Sequence, residues 1–494
     1  MEDLRLKWKQ SPTHPNIYVR DLLGAELIVD RAHICQNGNY YPLYLVRFHI
    51  DPKVLSGEDL QRRIKCAWKE VRRNAPQLAI QVCGPPSGRY FRYERPKSEA
   101  AVDKWVERSC HIFEFGTDFA SVQDFREAFP SETQTSYSTF YPAESEIGKS
   151  PDHLDCRCKA FLNVSPGEHI IAISCHHSLS DGIGGVQICS NLIDEISFNE
   201  YGSVPWDLAT EHERLSPAFY IQLGIRKEGE ALPPASAAAL DELIAKIVSF
   251  KGLYTDLCPN DYSYDKATPK IYTEIINKDA THKIKLAFKV KGYTITQAFN
   301  AASAVACQTI QVRKTGVVPD KFRQMSFHPC NMRQHYLSEF KLSKHHYEVS
   351  IINIPGILVV DGIGEIDDRI KMEILSREWL NSTDMLLWQH EMNVSLLSNL
   401  SPSFETPIVP KLSSIGNVDS YFRLKQHVKG GQSNGCLTVL ESNTQVRLCG
   451  PEVLIHVTGI NGEIYWTASY DSQWHSEKSM KEFFEETRRL LLLF

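Results

Sequence analysis

The chain has 494 residues and a formal net charge of −6 with no long Lys/Arg run, which excludes a nucleic-acid backbone as its main partner. Hydrophobic residues make up 42% and charged residues 23%, the balance of a globular enzyme long enough for more than one domain. No apolar segment approaches the ~20 residues of a membrane helix, and MEDLRLKWKQ has no signal-peptide core, so a soluble, cytoplasmic protein without a membrane partner is expected. The 13 cysteines include no CxxC pair and suit reduced, mostly buried thiols.

In chain order, Tyr41 to Ile50 (YPLYLVRFHI) reads as a strand. Ser56 to Asp59 offers a helix cap, followed by Leu60, Ile64, Trp68, Val71 and Ala75 at helical spacing, and Pro76 ends the helix. Gln77 to Cys83 reads as a second strand, residues 142–156 as a polar loop, and His169 to Ser174 as a short buried strand. Val186, Cys189, Ile193 and Ile196 share one face of a helix. Residues 206–267 suit a crossover between an N-terminal lobe, 1–205, and a C-terminal lobe, 268–494. In the second lobe Ile284 to Val290 reads as a strand, with Lys283, Lys285, Lys289 and Lys291 alternating onto one face, where a phosphate could bind. Thr294 to Val312 reads as a helix capped by Thr294 or Thr296. Phe322 to Cys330 reads as a strand leading into Asn331-Met332-Arg333. Residues 401–410 form a Pro-rich loop before Leu412 to Val418. Strands near Glu452 to Gly459 and Ile464 to Tyr470 precede a last helix, Ser476 to Leu493. Strands and helices mixed in two halves predict an α/β or α+β fold of two lobes.

Between the strand ending at Ser174 and the helix carrying Val186 lies HHSLSDGIGG, His176 to Gly185. As a metal site it lacks HExxH spacing and a third ligand, so no metal is expected. The literal GxSxG at Gly431 to Gly435 precedes an apolar run more like a strand than a helix, which suits a hairpin turn and not a nucleophile elbow. The scattered His328, Cys330, His335, His345 and His346 are left unassigned. A histidine at a strand end can act as a base near neutral pH, a nearby carboxylate can buttress its loop, and glycines admit a ligand close to the backbone.

This HHxxxDG, placed between strand and helix, resembles the signature of the CoA-dependent acyltransferase superfamily, which includes chloramphenicol acetyltransferase, alcohol acetyltransferases and nonribosomal-peptide condensation domains. Asn331-Met332-Arg333 is similar to the superfamily's Asn-x-Arg segment, and Ser413-Ser414-Ile415-Gly416-Asn417 to its Ser/Asn/Gly loop. The spacing is most similar to fungal secondary-metabolite O-acetyltransferases of the trichothecene 15-O-acetyltransferase type. The plant-type DFGWG element is absent.

The resemblance implies two chloramphenicol-acetyltransferase-like lobes around a central tunnel. It implies His177 as general base and Asp181 as its companion in the motif, ion-paired with Arg333. His176 and Gly182 would support the loop, and Ser414, Gly416 or Asn417 would serve the oxyanion or substrate. The implied activity is acyl transfer, chiefly acetyl transfer, from acyl-CoA to a hydroxyl of a small secondary metabolite such as a sesquiterpenoid alcohol. Acetyl-CoA would be a co-substrate, no cofactor would be bound, and the protein would be a monomer. A stand-alone condensation enzyme fed by an acyl-carrier protein, and a non-catalytic binding protein of the same fold, are the alternatives.

Overall fold

The computed structural model describes residues 7–36, 40–85, 88–114, 154–198, 206–224, 266–318, 320–341, 345, 347–362, 365–370, 410–431 and 435–494. Residues 142–153 of the expected polar loop, 225–265 of the expected crossover and the Pro-rich 401–409 lie outside them.

The chain divides into two compact units. Unit 1 comprises Met1–Glu228, Met332–Ser350 and Val418–Thr444, and unit 2 comprises Gly229–Asn331, Ile351–Asn417 and Gln445–Phe494. This differs from contiguous lobes parted by a crossover at 206–267. Two segments of the second half belong to the first unit, and Arg333 is therefore a residue of unit 1.

In chain order the strands of unit 1 are β1 (Lys9–Gln10), β2 (Ile17–Asp21), β3 (Tyr41–Ile50), β4 (Gln81–Cys83), β5 (Tyr90–Glu94), β6 (Cys110–Glu114), β7 (Cys156–Ser165) and β8 (Glu168–Cys175). Its longer helices are α1 (Ala25–Cys35), α2 (Gly57–Asn74), α3 (Glu99–Ser109) and α4 (Gly182–Phe198). Unit 2 contributes β9 (Pro269–Ile276), β10 (Lys321–Asn331), β11 (Ile351–Asp361) and β12 (Lys411–Asn417), with α5 (Lys278–Val290) and α6 (Ile295–Thr315). The chain then forms β13 (Lys425–His427), β14 (Cys436–Arg447), β15 (Leu454–Ile460), β16 (Glu463–Asp471) and α7 (Glu477–Leu493).

In unit 1 the large sheet runs β13-β14-β3-β8-β7-β6, and a smaller one runs β1-β2-β5-β4. β8 lies between β3 and β7, antiparallel to both, and Ile171, Ala172 and Ile173 are fully buried in it. A strand bonded on both edges and covered on both faces reads as a continuous apolar run, as this one does. The strand expected over Gln77 to Cys83 shortens to β4, because Pro76 opens a 3-10 turn through Ala79. Helix α2 starts at Ser56, whose side chain accepts the Asp59 N–H. It buries Trp68, which stacks on Trp105 at 5.5 Å and donates Nε1–H to Ser109 Oγ at 2.8 Å.

In unit 2 the sheet runs β12-β15-β16-β9, with β12 parallel to β15, and β10 pairs antiparallel with β11. Ile276, Ile455, Val457, Ile464, Trp466 and Ala468 form one apolar cluster with residues of α5, α6 and α7. Helix α6 begins with a capping box between Thr294 and Gln297 and ends at Gly316, whose φ of 69° is the left-handed closing conformation.

The strand expected over Ile284 to Val290 is instead helix α5. Asn277 caps it through the Ala280 N–H at 3.0 Å, and Thr281, Ile284 and Phe288 are buried at helical spacing. The alternating lysines masked that stripe. On a helix they spread around the axis, so the single phosphate-facing row does not exist. Lys291 Nζ lies 4.0 Å over the Phe494 ring.

Trp466 is fully buried and stacks on Phe484 of α7 at 3.9 Å. Phe484→Ala is expected to lower the unfolding free energy by about 3–5 kcal/mol, measured by urea denaturation of the full chain. A loss below about 1 kcal/mol would show that α7 is not part of the core.

Candidate active site

Strand β8 ends at Cys175, and the next residues form a tight loop before α4 starts at Gly182. The loop is tied to unit 1 at its entrance, where His176 N–H donates to the Asp155 carbonyl at 2.7 Å. His177 Nδ1 lies 3.0 Å from the Ser180 carbonyl oxygen. A carbonyl can only accept, so Nδ1 carries the proton and Nε2 keeps its lone pair. The same carbonyl accepts from Tyr44 Oη at 3.1 Å. Burial lowers the His177 imidazole below its ordinary pKa, against the pull of its backbone hydrogen bonds and of Asp181.

His176 has the opposite arrangement. Its Nδ1 accepts the Ser178 N–H at 3.2 Å, which places its proton on Nε2, 3.4 Å from Asp30 Oδ1. Arg89 clamps Asp30, with Nε 2.9 Å from Oδ2 and Nη2 2.9 Å from Oδ1. His176 is buried, and that burial, with His33 alongside, drives its pKa well down. Two adjacent imidazoles thus have different work: one is a neutral wedge in the interior, the other presents a free lone pair.

Asp181 is fully buried, and both its oxygens are engaged. Oδ1 accepts the Gly184 N–H at 2.8 Å, capping α4, while Oδ2 accepts from Arg333 Nη1 at 3.0 Å and from Ser350 N–H at 2.8 Å. Arg333 Nη2 goes on to the Glu348 carbonyl at 2.6 Å. Burial opposes the Arg333 charge, but the Asp181 carboxylate outweighs it and the guanidinium pKa is raised. The ion pair expected between Asp181 and Arg333 is therefore present.

The glycines behind the motif have definite reasons. Gly182 opens α4. A Cβ on Gly184 would strike the Tyr347 carbonyl, and one on Gly185 would strike the Tyr44 ring. Neither is needed for backbone freedom; both make room for neighbours.

A scan of protein-family models finds no match, and no curated protein matches in sequence. Solved structures do match. Trichothecene 15-O-acetyltransferase TRI3 from Fusarium sporotrichioides superposes with a TM-score of 0.80 at 15% identity, covering 100% of this chain and 99% of that one. The first condensation domain of the calcium-dependent antibiotic synthetase, in complex with a substrate analogue, gives 0.63 at 12% identity over 96% and 95%. A starter condensation domain of rhizomide synthetase in complex with C8-CoA gives 0.58 at 12% over 95% and 94%. The chain has the fold of the CoA-dependent acyltransferases and condensation domains.

Within this acyltransferase fold, Ser414, Gly416 and Asn417 all lie on β12 of unit 2. Thr296 Oγ1 donates to Ser414 Oγ at 2.8 Å, which leaves the Ser414 hydroxyl proton free to be donated. Gly416, at φ +84°, follows a bulge in the pairing with β15, and it and Asn417 are exposed. The Gly431 to Gly435 match joins β13 to β14, with Gln432 to Asn434 outside the described residues; a strand follows it, so a nucleophile elbow is not formed. Among the described residues no group of three His, Cys, Asp or Glu side chains is placed to hold a metal ion. His346 and the His328 side chain fall outside that description. No described helix is long and apolar enough to cross a membrane.

Sequence reasoning missed Asp30, Arg89, Tyr40, Tyr44 and Ser350. One signal was available: α1 buries Glu26, Val29, Asp30 and His33 at helical spacing, a stripe with three polar members.

Asp181→Asn and Arg333→Ala are each expected to cost about 3–5 kcal/mol of stability, since each strands a buried partner. In a double-mutant cycle followed by denaturation, the two losses are expected to be strongly non-additive. Additivity within about 0.5 kcal/mol would contradict the direct pair.

Proposed function

We propose that this protein is an acyl-CoA-dependent O-acyltransferase, chiefly an acetyltransferase, acting on a hydroxyl of a small secondary metabolite such as a trichothecene-like sesquiterpenoid alcohol. The observation that carries the reading is His177, whose Nδ1 proton is committed to the Ser180 carbonyl and whose Nε2 is left as a base. The likeness to a trichothecene 15-O-acetyltransferase over the whole chain supports the choice of reaction and acceptor class.

In this reading the acceptor oxygen attacks the thioester carbonyl as His177 Nε2 takes the hydroxyl proton. The tetrahedral oxyanion then collapses, the carbon–sulfur bond breaks, and the departing thiolate takes the proton back from Nε2. The products are the ester and free CoA. A positioned base of this kind contributes about 10²–10⁴ in rate. Asp181 and Arg333 hold the loop, and His176 and Gly182 complete its frame. Ser414 is the proposed oxyanion donor, supported by its uncommitted hydroxyl proton, with Asn417 and the flexible Gly416 beside it on β12. One donor is commonly worth about 10²–10³.

Three of the chain's structural likenesses, the condensation domains, favour a second reading in which the acyl group arrives on a carrier protein. The phosphopantetheine arm is common to both donors. Free acetyl-CoA with a panel of hydroxylated terpenoids is expected to give turnover. Turnover only from an acylated carrier would overturn the CoA reading in favour of condensation chemistry.

His177→Ala is expected to lower kcat by about 10²–10⁴ with the fold retained, checked by circular dichroism beside the assay. The base must be neutral to accept a proton, and burial lowers its pKa, so the acid limb of kcat/KM is expected below pH ~6.5. An acid limb well above that value would contradict the assignment.

A further inference from the structure

Tyr40 immediately precedes β3, and its ring lies over the His177 ring with centroids 5.4 Å apart and planes 24° apart. Its carbonyl is held by His33 Nδ1–H at 3.2 Å, and His33 itself lies edge-on to His176 at 4.5 Å. Helix α1 thus fixes Tyr40 from the same turns that supply Asp30 to His176. Within unit 1 the other titratable groups around His177 are His176 and Asp181 of its own loop, Arg333 bonded to Asp181, and Tyr44 of β3 at the shared Ser180 carbonyl. Of these, Tyr40 alone is recorded lying on the face of the His177 ring.

Accepting a proton turns His177 into an imidazolium in a buried place, which burial disfavours. An aromatic face within about 6 Å attracts a cation, and it does little for the neutral ring. A contact that strengthens as charge develops lowers the barrier, whereas one equal in both states does not.

We propose that Tyr40 is a positioning residue that steadies the His177 ring and stabilises the imidazolium formed during acyl transfer. This rests on the reading of His177 as the base. Tyr40→Leu is expected to lower kcat about three- to tenfold, the scale of one cation–π contact, with KM for the acyl donor little changed. Titration of the His177 imidazole by NMR in the unliganded full-length protein is expected to move down by about half a unit to one unit. The acid limb of the rate profile moves the same way, and Tyr40→Phe, which keeps the ring, restores most of both. An unmoved His177 titration in Tyr40→Leu, or a Tyr40→Phe variant as impaired as Tyr40→Leu, would overturn the proposal. If Tyr40→Leu does not fold, Tyr40→Met is read in its place. The titration reads His177 directly, so it decides the contact even if no acceptor turns over. Failure of wild-type turnover would count against the proposed function instead.

Discussion

A single buried carboxylate organises this protein's candidate site. Asp181 has no exposed surface, and an ion in that position persists only with its oxygens occupied. One oxygen caps α4; the other takes a guanidinium proton from Arg333 and the backbone N–H of Ser350. Those last two bonds explain why Met332–Ser350, far along the chain, belongs to the first compact unit. The same side chain therefore starts the helix, recruits the distant segment and fixes the loop between β8 and α4.

With the loop fixed, the roles of the two histidines follow from which nitrogen each must protonate. Ser178 donates to His176 Nδ1, and Ser180 accepts from His177 Nδ1. Neighbouring imidazoles are thereby held as opposite tautomers by backbone groups of the same turn. His176 completes a buried array with Asp30 and Arg89, while His177 is left with an uncommitted Nε2. The thiols on the adjoining elements take no part in such chemistry: burial raises Cys156, Cys175 and Cys189, keeping them protonated and inert.

The motif loop was legible because it combined a buried strand, fixed residue spacing and a helix start, and Arg333 was legible from its similarity to a known segment. Asp30 and Arg89 were not, because a charged pair separated by 59 positions leaves no local pattern. Tyr40 was overlooked at the start of β3, where an aromatic residue is ordinary strand composition. Strands β3 and β8 and helices α2, α6 and α7 were readable from periodicity and caps. Helix α5 was misread because lysines two apart imitate a strand's alternation, while the helical stripe of Thr281, Ile284 and Phe288 is short and interrupted. The division into units was also hidden, since it depends on long-range docking of 332–350 and 418–444, which composition does not mark.

The central claim is that this loop geometry presents His177 Nε2 as an unprotonated base. Nitrogen NMR of the histidine-labelled full-length protein at neutral pH, with His177→Gln to assign the signals, tests it most directly. The account predicts His177 protonated at Nδ1 and bare at Nε2, with His176 showing the reverse pattern. A proton on Nε2 of neutral His177 would contradict it.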